Sequence, residues 1–331
     1  MAKKEQPSAE FIQLLKTSGD SDKAIAIAAQ REIAKAIETP LREGIQAGNV
    51  IEGIFSPSTD GTEKFPLDLL APGTEAQHVA YTNPGHGYIP QKSVESDYVM
   101  VSTYNITSAI DFLLSYARNG SWDILGRATK VMENGFVKKM NDDGWHTILA
   151  AAADRNILVY DADAAAGQMT KRLLSLMKSV MRRNGGGNSV TARGRLTDLY
   201  LSIEGVEDIR NWGIDQLDDT SRREIYQSVD GGAPLTRIYG VTLHDLFELG
   251  DGQEYQDYFI TDLGASLASS DTELVVGLDL ASNDSFLMPI KTPLQVFEDE
   301  ALHRQQRQGY YSWMEIGFAC MDGRRTLIGS F

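Results

Sequence analysis

Among the residues able to do chemistry, the five histidines come first: His78, His86, His146, His244 and His303. No two stand four apart, so the paired imidazoles of a helical zinc-protease site are missing. His244 precedes Asp245, a base beside an acid, but adjacent side chains on a strand point to opposite faces. Asp161 and Asp163 in DADAAAG open like a calcium loop. The next oxygen-ligand position is Ala165 and the required glycine position is Ala166, so the pattern fails and a turn before a helix is the simpler reading. Gly185, Gly186 and Gly187 would suit a phosphate cradle, but they follow a helix instead of opening one. They also lack the Lys-Ser/Thr that completes such a motif. The acidic residues from Asp245 to Asp262 are spread as on a solvated face, not gathered as cation ligands. Cys320 is the single cysteine, which excludes an internal disulfide and a cysteine-based metal cluster. It alternates with Phe318, Ile316 and Met314, as a small buried hydrophobe on one strand face does. These residues assemble no nucleophile, base or anion hole. The sequence assigns no catalytic residue, no cofactor and no metal ligand, and points away from an enzyme.

The elements that would position any site are those of a globular chain. Its 331 residues are 42% hydrophobic, ample for a buried core. No run approaches the roughly 18 apolar residues of a membrane span. The opening MAKKEQPSAEFIQLLKTSGDSDK has no apolar core of signal-peptide type, so a cytoplasmic setting and no membrane partner are expected. Net charge is −15, from 46 acidic and 31 basic residues, which argues against tight, broad nucleic-acid binding.

SDKAIAIAAQREIAKAIETP reads as a helix capped by Ser21 or Asp22 and ended by Pro40. Its apolar residues Ile25, Ile27, Ile33 and Ile37 cannot make a core alone, so it must lie on another surface, either of this chain or of a neighbour. The stretch from 61 to about 105 carries Pro66, Pro72, Pro84 and Pro90, which forbid a long helix. HVAYT and YVMVST have strand character, and NPGHG between them is turn material. An extended excursion that leaves and returns is expected. Trp122, Leu125, Thr129, Met132, Phe136, Met140 and Ile148 mark one face of a long helix, with a bend or break expected near NDDG at Gly144. GQMTKRLLSLMKSVMRRN is a second helix, stopped by the glycine triplet. Further on, TDLYLSI, two short segments in TRIYGVTLHDLFEL, ELVVGLDL and SFLMPIK read as strands, and SIEGVEDIRNW as a helix with a capped start. The final GYYSWMEIGFACMDGRRTLIGSF reads as a hairpin: Asp322-Gly323 makes the turn and Thr326-Leu327-Ile328 runs back alongside.

This order of segments resembles the major capsid protein of tailed bacteriophages, the Hong Kong 97-type α+β fold. The most family-like residues are Gly309-Tyr310-Tyr311 through Glu315-Ile316-Gly317-Phe318, then Met321-Asp322-Gly323-Arg324-Arg325. The resemblance implies an N-terminal arm over 1–60, an E-loop over 61–105 and a peripheral domain over 106–185 with its spine helix at about 122–152. It further implies an axial domain over 186–285 and a return to the peripheral domain through C-terminal strands over 286–331. Some relatives weld subunits through a Lys–Asn bond. Lys64 or Lys92 could sit in the excursion, but no partner Asn or promoting Glu is assigned, and that chemistry is not carried over.

The function implied is assembly. Many copies, in pentamers and hexamers, would tile an icosahedral head shell around double-stranded DNA, with scaffolding, portal or decoration proteins as further partners. The shell would form in the host bacterial cytoplasm and end in the virion. An arm and a loop that cannot bury themselves would gain stability by lying across neighbours, in contacts above about 2,000 Å². Excess negative charge would let packed DNA slide along the wall without sequence-specific binding. Two alternatives stay open: an encapsulin-type nanocompartment shell, which shares the fold, and a soluble enzyme with a site in 186–285.

Overall fold

The computed structural model describes residues 9–20, 22–48, 50–59, 64–66, 98–184, 194–212, 235–269, 272–281 and 285–331. They fall into two compact units. One comprises Met1–Glu63, Met100–Gly144 and Met288–Phe318; the other Lys64–Val99, Trp145–Leu287 and Ala319–Phe331.

In the first unit, helices α1 (Ala9–Ser18) and α2 (Lys23–Gly48) lead into the short strand β1 (Ser56–Ser58). Asp22 accepts the Ala24 N–H at 3.0 Å and so starts α2 as the sequence indicates. Pro40 does not end it: the helix runs on to Gly48 with the proline inside. The reason is packing. Ile33, Ile37, Leu41 and Ile45 are all buried, so the apolar face continues past the proline and outweighs its lost hydrogen bond. The surface this helix covers belongs to its own chain, since a Cβ on Gly48 would stand 3.3 Å from Val137. That corrects the expectation of an arm unable to bury itself.

Strand β4 (Tyr104–Leu113), the short helix α3 (Leu114–Arg118) and the long helix α4 (Trp122–Asp154) follow. The sheet of this unit has the order β1-β10-β11-β4, where β10 is Phe286–Glu298 and β11 is Arg307–Ile316. β4 and β11 pair antiparallel over ten residues, setting Ile106 opposite Met314 and Ile110 opposite Tyr310. Tyr310, Ser312, Met314 and Ile316 alternate into the core, and Leu125, Met132, Phe136 and Met140 of α4 are buried as well. Ser312 donates to the Met132 sulfur at 3.0 Å, which places α4 against this face. β10 holds Pro289 and Pro293, and its register against β11 shifts between Ile290 and Thr292 and again between Thr292 and Gln295. Bulges there accommodate missing ladder donors. The helix α4 is continuous, about 50 Å long at 1.5 Å per residue. Gly144 does not break it; a Cβ there would meet Ile51 at 2.7 Å, so the glycine admits a close approach.

The second unit is built on a mixed sheet of order β5-β13-β9-β6-β8-β7. Its strands are β5 (Leu158–Tyr160), β6 (Asp198–Leu201), β7 (Leu235–Ile238), β8 (Val241–Asp245), β9 (Leu274–Leu278) and β13 (Thr326–Ser330). Helices α5 (Lys171–Asn184) and α6 (Ile203–Asn211) cover one face through Leu173, Met177, Met181, Val206 and Ile209. Ser202 caps α6 by accepting the Gly205 N–H at 3.1 Å. Leu199, Leu201 and Leu243 point toward these helices. Tyr200 points the other way, its ring 4.8 Å from Trp145 and 4.5 Å from His244.

The closing segment is not a simple hairpin. β13 lies between β5 and β9, Ile328 opposite Leu158 and Val276, and does not run back along β11. The intervening Ala319–Cys320 (β12) pairs with Phe286 and Leu287 instead. All five residues of β13 are buried, and a strand covered on both faces satisfies itself only in the middle of a sheet.

Candidate assembly surfaces

The ends of the Pro-rich excursion come together: Lys64–Pro66 (β2) and Tyr98–Met100 (β3) pair as a two-stranded sheet. The span 67–97, with HVAYT, NPGHG, His78, His86 and Lys92, lies outside the described residues. In the first unit, Phe297 and Tyr311 face each other across β10 and β11 with ring centroids 5.5 Å apart, and Tyr311 is 41% exposed. At the same strand end, Arg31 of α2 reaches Glu298 at 2.5 Å and Glu300 at 3.0 Å. The guanidinium is in solvent, so this pair orients the helix more than it stabilises it.

In the second unit, α5 turns Leu173, Leu174, Met177 and Met181 inward and Lys171, Ser175, Ser179 and Arg182 outward. With Lys178, these outward residues and Tyr239 line a shallow cleft of about 260 Å³. Tyr239 and Gly240 both have positive φ, +52° and +79°, the geometry of a tight type I′ turn between β7 and β8. That turn holds the strip: Lys178 donates to the Tyr239 carbonyl at 2.5 Å, and Lys171 sits 5.2 Å from the ring centre. Sequence reasoning found this helix but passed over its charge. The signal was there, with Lys171, Lys178 and Arg182 at spacings of seven and four and no acid from 171 to 184. On the far side of the sheet, beyond Tyr200, the turn Glu254–Asp257 continues into a π-helical turn, Tyr258–Asp262. Tyr255 lies 6.0 Å from Trp145, which leaves Glu254, Asp257 and Asp262 exposed on this layer.

The residues singled out for chemistry are dispersed. His244 pairs with Asp198, not with its neighbour Asp245; Nε2 lies 2.8 Å from Asp198 Oδ1. Burial alone would raise the Asp198 carboxyl, but hydrogen bonds from His244 and Thr197 hold it below the ordinary carboxylate range. His146 stacks on Tyr258 at 3.8 Å. His303 lies on the separate 3₁₀ turn Glu300–Gln305. Asp161 accepts the Asp163 N–H at 3.2 Å and the Thr170 hydroxyl at 2.8 Å, and Asp163 pairs with Arg172, so this loop leads into α5. Burial, aided by the Asp322 charge, pushes the Cys320 thiol up to about 12, the reverse of an activated nucleophile. The glycine triplet at 185–187 lies outside the described residues. Among the described residues, no cluster of three or more His, Cys, Asp or Glu is placed to hold a metal ion. No described helix is long and apolar enough to cross a membrane.

No protein-family model matches the chain, and no curated protein matches it. Solved structures do. A chain of the cyanophage Pam1 capsid matches with a TM-score of 0.53 at 10% identity, over 84% of this chain and 88% of that one. The capsid of Myoviridae phage XM1 matches at 0.52 and 12% identity, over 85% and 90%. A chain from Mycobacterium phage Bobi gives 0.53 and 11%, over 86% and 89%. At such identity it is the fold that is shared: the chain has the α+β Hong Kong 97-type fold of tailed-phage major capsid proteins.

Proposed function

We propose that this chain is a major capsid protein that self-assembles into the icosahedral head shell of a tailed phage and encloses its double-stranded DNA. The observation that carries the reading is the match to phage capsid chains over more than four-fifths of both lengths. In this reading, residues 1–60 are the N-terminal arm and 61–105 the E-loop, whose two flanks are the paired strands β2 and β3. Of residues 106–185, β4, α3 and α4 belong to the peripheral domain with α4 as spine helix, while β5 and α5 join the layer built by 186–285, the axial domain. Residues 286–331 are shared: β10 and β11 serve the peripheral sheet, while β13 completes the sheet that also holds β6, β8 and β9. The role is structural, not enzymatic. Copies meet as pentamers and hexamers in the host cytoplasm, and the finished shell stays in the virion with DNA as a neighbour, not a sequence-specific ligand.

Light scattering and negative-stain microscopy of the purified chain test this. Closed shells tens of nanometres across are the expected result; a monodisperse monomer or dimer under all assembly conditions overturns it. Particles isolated from infected cells carry the second half of the test: packaged DNA is expected, and enclosed enzyme in its place points to a nanocompartment.

A further inference from the structure

We propose that the free edge of β4 pairs antiparallel with the same edge of a second copy, joining two β1-β10-β11-β4 sheets about a two-fold axis at Ala109. This goes beyond the shell reading by naming one surface that two copies share.

The backbone is the first observation. Leu114 donates its N–H to the Gln306 carbonyl, one step beyond the end of the β4–β11 ladder. Hydrogen-bonded and non-hydrogen-bonded pairs alternate in an antiparallel ladder, so the even-numbered residues of β4 bond to β11. The Ser108 carbonyl agrees, since it also accepts the Ser312 hydroxyl at 3.3 Å. Asn105, Thr107, Ala109, Asp111 and Leu113 therefore turn their N–H and C=O groups the other way. On that side β4 ends its sheet, and among the described residues no hydrogen bond meets those groups.

The make-up of the edge is the second observation. Exposed edge strands are ordinarily guarded by shortness, proline, lysine or a bulge. The opposite edge, β1, is three residues long and contains Pro57. β4 runs ten residues in unbroken register with no Pro, Gly, Lys or Arg. Its one charge, Asp111, is already paired with Arg307. Burial also fades toward this edge: Ile110 is only half-buried, although Tyr310 opposite it is 1% exposed. A strand this bare is a template for another strand.

The edge of a second β4 is the occupant it fits. Opposed residues of antiparallel strands share a face, and pairing about Ala109 keeps that match. Ala109 meets Ala109 of the second copy, Thr107 meets Asp111, and Asn105 meets Leu113. Each open N–H then finds an open C=O, about ten bonds in all. No like charges meet. On the core side Ile110 gains Ser108 as a neighbour, and Ile106 gains Phe112. The contact is isologous, so it closes with two copies. A strand added from any other segment would leave a new edge exposed; two β4 edges paired leave none.

Ala109→Lys and Ala109→Glu test this in the full chain. The Ala109 side chain is exposed, and in either variant a like charge faces its own copy across the axis. Self-association by sedimentation and shell yield are each expected to fall about tenfold or more in either variant alone. An equal mixture of the two is expected to restore both to within about twofold, since Lys then faces Glu. Wild-type association of either variant overturns the proposal. So does a mixture that fails to recover, because the edge then serves a segment other than β4. Cross-linking gives a readout that does not depend on charge. A short bis-maleimide is expected to link two copies of Ala109→Cys but not of Asn105→Cys, whose thiols would stand about 27 Å apart. If circular dichroism shows a charged variant to be unfolded, this decides alone, and no link at Ala109→Cys overturns the pairing. If wild-type protein forms no shells, the shell reading fails separately, while sedimentation and cross-linking still decide the edge.

Discussion

Phe331 packs its ring against Gly205 of α6: a Cβ built on that glycine would lie 2.5 Å from Phe331 Cζ. The Phe331 backbone is also paired, its N–H donating to the Glu273 carbonyl at 3.2 Å and its carbonyl accepting the Glu273 N–H at 2.8 Å. An aromatic residue at this position is thus a core residue of the sheet–helix layer, 5% exposed. Phe331→Ala is expected to cost about 3–5 kcal/mol through the cavity it leaves. Gly205→Ala is expected to cost about 1–3 kcal/mol by overpacking. Urea unfolding of the unassembled subunit checks both, and an unchanged midpoint for either would remove the contact from the account.

Asp279 is completely buried and receives the Arg325 guanidinium, the Arg195 N–H at 2.8 Å and the Ala281 N–H at 3.1 Å. This network joins the end of β9 to the start of β13. Arg325→Met strands a buried carboxylate and is expected to cost about 3–5 kcal/mol, with Asp279→Asn in the same chain recovering much of the loss. A double-mutant cycle by chemical denaturation measures the coupling. Additive losses would show that the pair does not act together.

Cys320 is expected to resist thiol reagents. Its thiol is pushed up to about 12, mainly by burial, leaving little thiolate at neutral pH. Ellman's reagent should therefore react at least about tenfold more slowly with native subunit than with protein in denaturant. Equal rates would place the thiol in solvent.

Acid should weaken the second unit through Asp198 and Asp322. For each, burial opposes ionisation but is outweighed, by His244 and Thr197 in the first case and by Arg324 and Arg325 in the second. A carboxyl held below its unfolded value, about 3.9, contributes stability above that pH and loses it as pH falls through the folded pKa. Thermal melts between neutral pH and pH 3 should show this decline, flattened in Asp198→Asn and Asp322→Asn. Glu273 carries the opposite sign, since burial raises its carboxyl despite the Ser202 hydrogen bond. Glu273→Gln should accordingly raise the melting temperature at neutral pH, and a fall would reverse that assignment.

Much of the secondary structure was legible in sequence because its causes are local. The 3.6-residue spacing of Leu125, Met132, Phe136 and Met140 marks α4, Ser202 marks the start of α6, and the apolar run at Leu274 marks β9. The order of these pieces was enough to reach the fold. Strand β4 was passed over, although Ile106, Ile110 and Phe112 alternate toward the core and would have exposed it. Other features had no local signal at all. Pro40 reads as a stop, and only the buried row continuing through Leu41 and Ile45 keeps its helix intact. Thr326–Ser330 reads as a hairpin partner of β11, and the structure overturns that reading. Its place between β5 and β9 follows from hydrogen bonds to residues 158–160 and 274–278, far away in the chain. The open edge of β4 is of the same kind. Its residues are written one by one, but which of their backbone groups stay unpaired depends on strand pairings that only the folded chain makes.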